Sequence, residues 1–134
     1  MTAKNFKYLS KEWAAEVEKQ CKKQLTPEKM KHITSSMLTV YTNCPDKKSR
    51  ALFYKLVNGK VDSITLVEGT LPKAEFTITA DYEIFARISR AELKARAALM
   101  SGKMNLKGNL VKALTLSPTV DRLNEVLASV PTDY

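Results

Sequence analysis

A chain of 134 residues, 44% apolar and 27% charged, with four glycines and five prolines, is one domain's worth of sequence and carries enough apolar surface to close a core. That composition excludes disordered, collagen-like and membrane-spanning classes. No apolar run approaches the roughly 20 residues a bilayer requires, and the lysines of MTAKNFKYLS have no hydrophobic block behind them, so a cytoplasmic protein without a signal peptide is expected. The 22 Lys and Arg against 14 Asp and Glu leave a formal charge of +8, which fits an anionic partner (nucleic acid, a membrane surface or an acidic ligand) without choosing among them.

Segment 5–25, NFKYLSKEWAAEVEKQCKKQL, spaces Phe6, Leu9, Trp13, Val17, Cys21 and Leu25 at steps of three and four. The spacing predicts an amphipathic helix whose stripe docks on a core, although a basic helix with an aromatic on its apolar side also suits an anionic membrane. Thr26 and Pro27 predict a helix restart, with Thr26 as N-cap and Pro27 in the first turn, so the N-terminal helices are read as about 4–32. From about 35 to 80 the period changes to two. SMLTVYT and RALFYKLV flank the turn-rich PDKKS, and Asn58-Gly59 joins RALFYKLV to KVDSITLVE as a two-residue hairpin. Its register puts Val57 opposite Lys60, Leu56 opposite Val61, Lys55 opposite Asp62 and Phe53 opposite Ile64. After a turn over 69–72, KAEFTITA alternates, with Ala74, Phe76, Ile78 and Ala80 on one covered face.

Helices are expected over about 81–101. Asp81 stands where it would cap YEIFARI, and Ser89, Arg90, Ala91 and Glu92 have the spacing of a capping box for RAELKARAALMS, which Gly102 ends as a left-handed cap. Lys103, Asn105 and Lys107 then alternate with Met104 and Leu106, the pattern of a short strand over about 103–107. Gly108 and Asn109 turn the chain into helices over about 109–130, interrupted at Pro118, with Val120, Leu123, Leu127 and Val130 striping the last. The stretch LMSGKMNLKGNL is not a phosphate loop, because Gly102-Lys103 is followed by Met104 rather than Ser or Thr. This order of elements predicts an α+β fold with a largely antiparallel sheet.

Residue types suited to catalysis do not converge. Cys21 and Cys44 are far apart and share the chain with a single histidine, His32, so neither zinc spacing nor a disulfide framework is present. The pairs Glu16 and Glu18, Asp81 and Glu83, and Asp121 and Glu125 read as solvated faces. No enzymatic activity, metal or cofactor is expected.

The run ALMSGKMNLKGN, Ala98 to Asn109, joins a helix ending in an apolar pair and Gly to a Lys-alternating strand and a Lys-Gly-Asn entry to a last helix. It resembles the sterol carrier protein type 2 family, and TITA followed by Asp81 and YEIFARI is similar to that family's approach to the motif. The resemblance implies one lipid-binding domain over 1–134: a five-stranded, largely antiparallel sheet covered on one face by helices, with an apolar tunnel between. It further implies noncatalytic binding and transfer of fatty acids, fatty acyl-CoA, phospholipid or sterol- and isoprenoid-like molecules. Phe85, Ile88, Leu99, Met100, Met104, Leu106, Leu110 and Leu114 are the candidate lipid-binding wall. Lys103, Lys107, Asn109 and Lys112 are the candidate headgroup contacts. The same apolar residues would equally make an ordinary filled core.

One departure is that ARISRAELKARAA holds neither the Gly-containing loop nor the Pro common there, so a tighter break between the two middle helices is expected. The partners expected are a small-molecule lipid and, transiently, an anionic membrane surface. Two other readings stay open: a nucleic-acid-binding or protein-interaction domain using the +8 surface, and an accessory protein presenting an apolar intermediate to a lipid or isoprenoid enzyme. Against nucleic acid, there is no helix-turn-helix signal and no aromatic-and-basic platform. The C-terminal PTDY is not a peroxisomal address, and no feature speaks to oligomeric state.

Overall fold

The computed structural model describes residues 5–45, 47, 50–67 and 69–133. In chain order the elements are β1 (Phe6–Lys7), α1 (Lys11–Gln24), β2 (Ser35–Thr42), β3 (Arg50–Val57), β4 (Lys60–Val67), β5 (Phe76–Asp81), α2 (Tyr82–Ser89), α3 (Ala95–Met100), β6 (Asn105–Lys107), α4 (Leu110–Thr115), α5 (Ser117–Ser129) and β7 (Thr132–Asp133).

Ser10 opens α1 by accepting the Trp13 N–H on its hydroxyl at 3.1 Å. Trp13, Ala14, Val17 and Cys21 are buried, so the apolar stripe docks on the core as the spacing predicts. Phe6 and Leu9, expected in the helix, precede it. Leu9 takes a φ of 61° and turns the chain out of β1, which pairs in parallel with β7. Trp13 Nε1 donates to the Thr132 hydroxyl at 3.1 Å and ties the two ends of the described chain together. The expected helix at Thr26 is instead a run of turns. Thr26 does accept the Lys29 N–H on its hydroxyl at 3.2 Å, but Lys31 and His32, both at φ 54°, stop any helix from continuing.

The main sheet runs β4-β3-β2-β5-β6, and every neighbouring pair is antiparallel except β2 and β5, which are parallel. This is the α+β, largely antiparallel fold expected from the sequence. Most of the turn PDKKS lies outside the described residues. At the Asn58-Gly59 hairpin both central residues have positive φ, 50° and 80°, and Val57 faces Lys60 and Leu56 faces Val61 as predicted. A bulge between Lys55 and Leu56 then shifts the rest by one residue, so Lys55 faces Ser63, Tyr54 faces Ile64 and Phe53 faces Thr65. The shift sets Ile64 rather than Ser63 beside Tyr54, and both are buried. Lys55 Nζ still lies 4.0 Å from Asp62 Oδ2.

Asp81 is the N-cap residue of α2, but its carboxylate makes no cap bond. It accepts instead from the Thr42 hydroxyl at 2.7 Å and Asn43 Nδ2 at 2.8 Å, which also lower its pKa. The capping box at Ser89 is not formed. Ser89 is the last residue of α2, buried, with its hydroxyl 3.0 Å from that of Tyr8, and α3 begins only at Ala95. Between them Ala91 adopts φ 61°, so the chain breaks the helix over residues 90–94 without Gly or Pro. Gly102 ends α3 at φ 79°. Asn109 caps α4 by accepting the Lys112 N–H at 3.0 Å, and Pro118 sits in the first turn of α5 rather than at the break itself, which falls at Leu116.

Gly59 and Gly69 separate two costs of a side chain at positive φ. A Cβ at Gly59, φ 80°, would lie 2.7 Å from the Pro27 carbonyl oxygen and 2.8 Å from its Cα, whereas one at Gly69, φ 92°, meets nothing within 4 Å. Urea unfolding should therefore show Gly59→Ala losing about 2 kcal/mol or more, against about 1 kcal/mol for Gly69→Ala, where backbone strain acts alone. Equal losses would mean that the Pro27 contact carries no weight.

Candidate functional site

β2, β3 and β5 turn long side chains toward the helices, among them Met37, Tyr54, Leu56, Phe76 and Ile78. The residues that α3, α4 and α5 set opposite them include several small ones: Ala95, Ala113, Ser117 and Thr119. Large against small leaves a gap. An apolar cavity of about 70 Å³ lies there, closed further by Leu99, Met104, Leu106, Val120 and Leu123, with Ser35, Arg96 and Asp121 also in its wall. Interiors are normally packed without voids of this size, so the cavity costs on the order of 2 kcal/mol in lost contacts.

A second cavity of about 30 Å³ adjoins it, sharing Met37, Tyr54, Ile78, Ala95, Met104, Val120 and Leu123 and reaching inward to Thr39, Tyr41, Phe85, Ile88 and Ser89. This inner end is lined by hydroxyls and carries no charge. The Tyr54 hydroxyl bonds with Thr39 and Tyr41, Tyr41 with Tyr8, and Tyr8 with Ser89. Burial first, and then a neighbouring tyrosine, pushes the phenols of Tyr41 and Tyr54 well above their ordinary value, so they stay protonated. A ring contact holds the same wall: Tyr41 and Phe85 have centroids 4.3 Å apart and planes tilted by 41°.

The wall formed by α4 is the weakest. It has no buried residue. What holds it is polar: the Asn109 cap, and an ion pair between Lys112 and Glu75, whose other carboxylate oxygen accepts from the Ser35 hydroxyl at 2.5 Å. The Lys112 and Ser35 bonds hold the Glu75 carboxyl below its usual pKa. Gly108 lets the chain pass close, because a Cβ there would stand 2.9 Å from the Glu75 carbonyl oxygen and 2.9 Å from the Phe76 ring.

Of the expected wall residues, Leu99, Met104 and Leu106 line the larger cavity, and Phe85, Ile88 and again Met104 the smaller. Met100 and Leu110 are 65% and 49% exposed, and with Leu114 they lie outside both. None of the expected headgroup residues lines either cavity: Lys112 is taken by Glu75, Asn109 is occupied as a cap, and Lys103 and Lys107 are exposed along the β6 edge. The sheet's contribution, Met37, Tyr54, Leu56 and Phe76, is absent from the sequence expectation. Its only sequence signal is strand alternation, which marks a face without saying what covers it.

Residues 15–121 match the family model of the SCP-2 sterol transfer family. The chain belongs to the SCP-2 sterol transfer family. Among solved structures it is similar to a crystal structure of sterol carrier protein 2, with a TM-score of 0.80 and 22% identity over 92% of this chain and 99% of that one. It is equally similar to a solution structure from Thermus thermophilus described as possibly a sterol carrier protein, with a TM-score of 0.81 and 21% identity over 98% and 94% of the two chains. A palmitated sterol-carrier-like protein from Aedes aegypti aligns with a TM-score of 0.58 and 20% identity over 91% and 97%. No curated protein matches the sequence. These likenesses establish the sterol-carrier fold, and family membership makes lipid binding and transfer its general activity.

Tyr54→Phe removes one member of the inner hydroxyl chain and leaves Thr39 and Tyr41 short of a partner. Thermal or urea unfolding should show a loss of about 1–2 kcal/mol. A neutral result would mean that a water replaces the hydroxyl.

Proposed function

We propose that the cavity between the sheet and α3–α5 holds the apolar part of a lipid, without chemistry, and that Phe85, Ile88, Leu99, Met104 and Leu106, together with Met37, Tyr54 and Leu56 from the sheet, form its wall. The ligand class is a fatty acid, a fatty acyl-CoA, a phospholipid or a sterol- or isoprenoid-like molecule, taken up from the cytoplasm or a membrane. The observation that carries this reading is the cavity itself, an apolar void kept at a cost in packing. An almost wholly apolar lining of that kind favours an apolar guest over water. The Aedes aegypti protein is described as palmitated, and an acyl chain is the guest this cavity suits by its own chemistry.

Size decides how the guest enters. About 70 Å³ lies below the roughly 300 Å³ at which ligand pockets usually begin, so an acyl chain fits only when a wall moves. The wall that moves is α4, which buries nothing. Each methylene taken from water contributes about 0.8 kcal/mol, so a dozen gross about 10 kcal/mol against the displacement of α4 and the cost of association. The inner hydroxyls of Thr39, Tyr41, Tyr54 and Ser89 meet the end of the guest that arrives there. No charged group stands among them, so a carboxylate or phosphate stays at the α4 side.

Native mass spectrometry of freshly purified protein, followed by solvent extraction, should release a stoichiometric lipid. Ala95 lines both cavities, and Ala95→Leu adds three carbons to the void. Its expected effect is an acyl affinity at least about tenfold weaker with an unchanged or higher melting temperature, because the added carbons occupy space the guest needs. Undiminished acyl binding in this variant, or a clean apo mass with no uptake of added fatty acid, would contradict the assignment.

A further inference from the structure

The hydroxyls of Tyr8, Thr39, Tyr41, Tyr54 and Ser89 stand together at the inner end of the cavity, and all of these residues are buried. A core built only to pack has no need of them. Phe at 41 and 54 and Val at 39 would bury the same apolar surface without a group to satisfy, and exchanging matched polar partners for apolar ones costs little. The cluster also faces a void. Thr39, Tyr41, Tyr54 and Ser89 line the smaller cavity of about 30 Å³, and half-buried Asn124 of α5 adds a neutral amide to the same wall.

The Thr39 hydroxyl donates to the Leu52 carbonyl at 3.4 Å, and the other hydroxyls of the cluster bond with one another. A hydroxyl gives one hydrogen bond and can accept two, so a cluster that spends its protons on itself keeps acceptor sites to spare. Such a wall calls for a donor. A carboxylate only accepts, and it brings a charge that the protonated phenols of Tyr41 and Tyr54 do not offset. A ketone also only accepts. An alcohol donates to the spare oxygens and can in turn accept from an amide such as that of Asn124. Size narrows the choice further, because roughly 10–15 Å³ of such space holds one water, and about 30 Å³ admits a terminal CH2–OH but no ring system.

We infer that the cavity takes an acyl chain hydroxylated at its terminal carbon, with that hydroxyl among Thr39, Tyr41, Tyr54 and Asn124 and the carboxylate at the α4 side. The inference rests on the lipid-binding reading of the cavity and adds to it a choice between guests. A methyl end leaves the spare acceptors without a partner, whereas a hydroxyl end engages them. The inner wall thereby offsets the desolvation cost that bars a polar terminus from a wholly apolar site.

The test is displacement of cis-parinaric acid from the whole chain by hexadecanoic acid and by 16-hydroxyhexadecanoic acid, two guests that share a carboxylate and a chain length. In a site without hydrogen-bonding partners, burial of the hydroxyl would weaken the second acid about thirtyfold. The wild type should instead bind it at least as tightly as the first. Tyr54→Phe and Thr39→Val should each shift the ratio of the two affinities about tenfold toward hexadecanoic acid. Both guests meet the same variant, so a loss of its stability leaves that ratio unmoved. A wild type that favours hexadecanoic acid by about tenfold or more, or a ratio that neither substitution moves, would overturn the inference and leave the lipid cavity in place. Failure of cis-parinaric acid and of both acids to bind would remove the lipid cavity, and this inference with it.

Discussion

The feature on which the rest of the structure depends is a mismatch of side-chain size across the sheet–helix interface. Met37, Tyr54, Leu56 and Phe76 rise from the strands, and Ala95, Ala113, Ser117 and Thr119 meet them from the helices. Had these four been leucine or valine, the same backbone would have closed as an ordinary core. Instead the layers are held apart around the void by well-packed contacts. On one side α1 buries Trp13, Val17 and Cys21. On the other, the Tyr41 and Phe85 rings and the buried residues of α5, Leu123, Val126 and Leu127, fix the inner end. Rigid support on those sides leaves α4 as the part with least to lose by moving.

The anchors of α4 fit that role because they are polar and exposed. An exposed ion pair and a single cap hydrogen bond together contribute about 1–2 kcal/mol, far less than burying one leucine and one valine would. The Glu75 carboxyl links the two halves of the arrangement, since it takes both Ser35 from β2 and Lys112 from α4. With its pKa held below the ordinary carboxylate range, Glu75 keeps its charge down to lower pH than a free glutamate. The pairing is therefore in place above the unfolded-state pKa and is lost only as pH falls through the lowered folded value.

Local signals carried well from sequence to structure, and contacts between distant segments did not. The Ala98–Asn109 motif was legible because each of its parts acts within one turn: Gly102 at positive φ, the alternation over Met104 and Leu106, and the Asn109 cap. The Asn58-Gly59 turn fixed the first two pairs of its hairpin for the same reason. Where a distant residue competes for a group, local pattern misleads. Ser89 has capping-box spacing, but its hydroxyl is engaged by Tyr8, and Asp81 stands at an N-cap with its carboxylate engaged by Thr42 and Asn43. The bulge has no mark in KVDSITLVE, yet by adding Asp62 to β4 it decides that Ile64 rather than Ser63 lies beside Tyr54. A large part of the cavity wall comes from sheet residues whose role depends on register and cover, and the lysines of 103–112, which looked like headgroup contacts by proximity in sequence, lie outside the cavity.

The central claim is that this void accepts a lipid chain and grows by displacing α4, and a chain-length series tests it most directly. Isothermal titration with saturated fatty acids of increasing length should give an affinity that rises about fourfold per added methylene, the value of about 0.8 kcal/mol each, with a negative heat-capacity change that deepens in step. Affinity that does not depend on chain length, with no heat-capacity change, would mean that the apolar cavity takes no part in binding and would contradict the account.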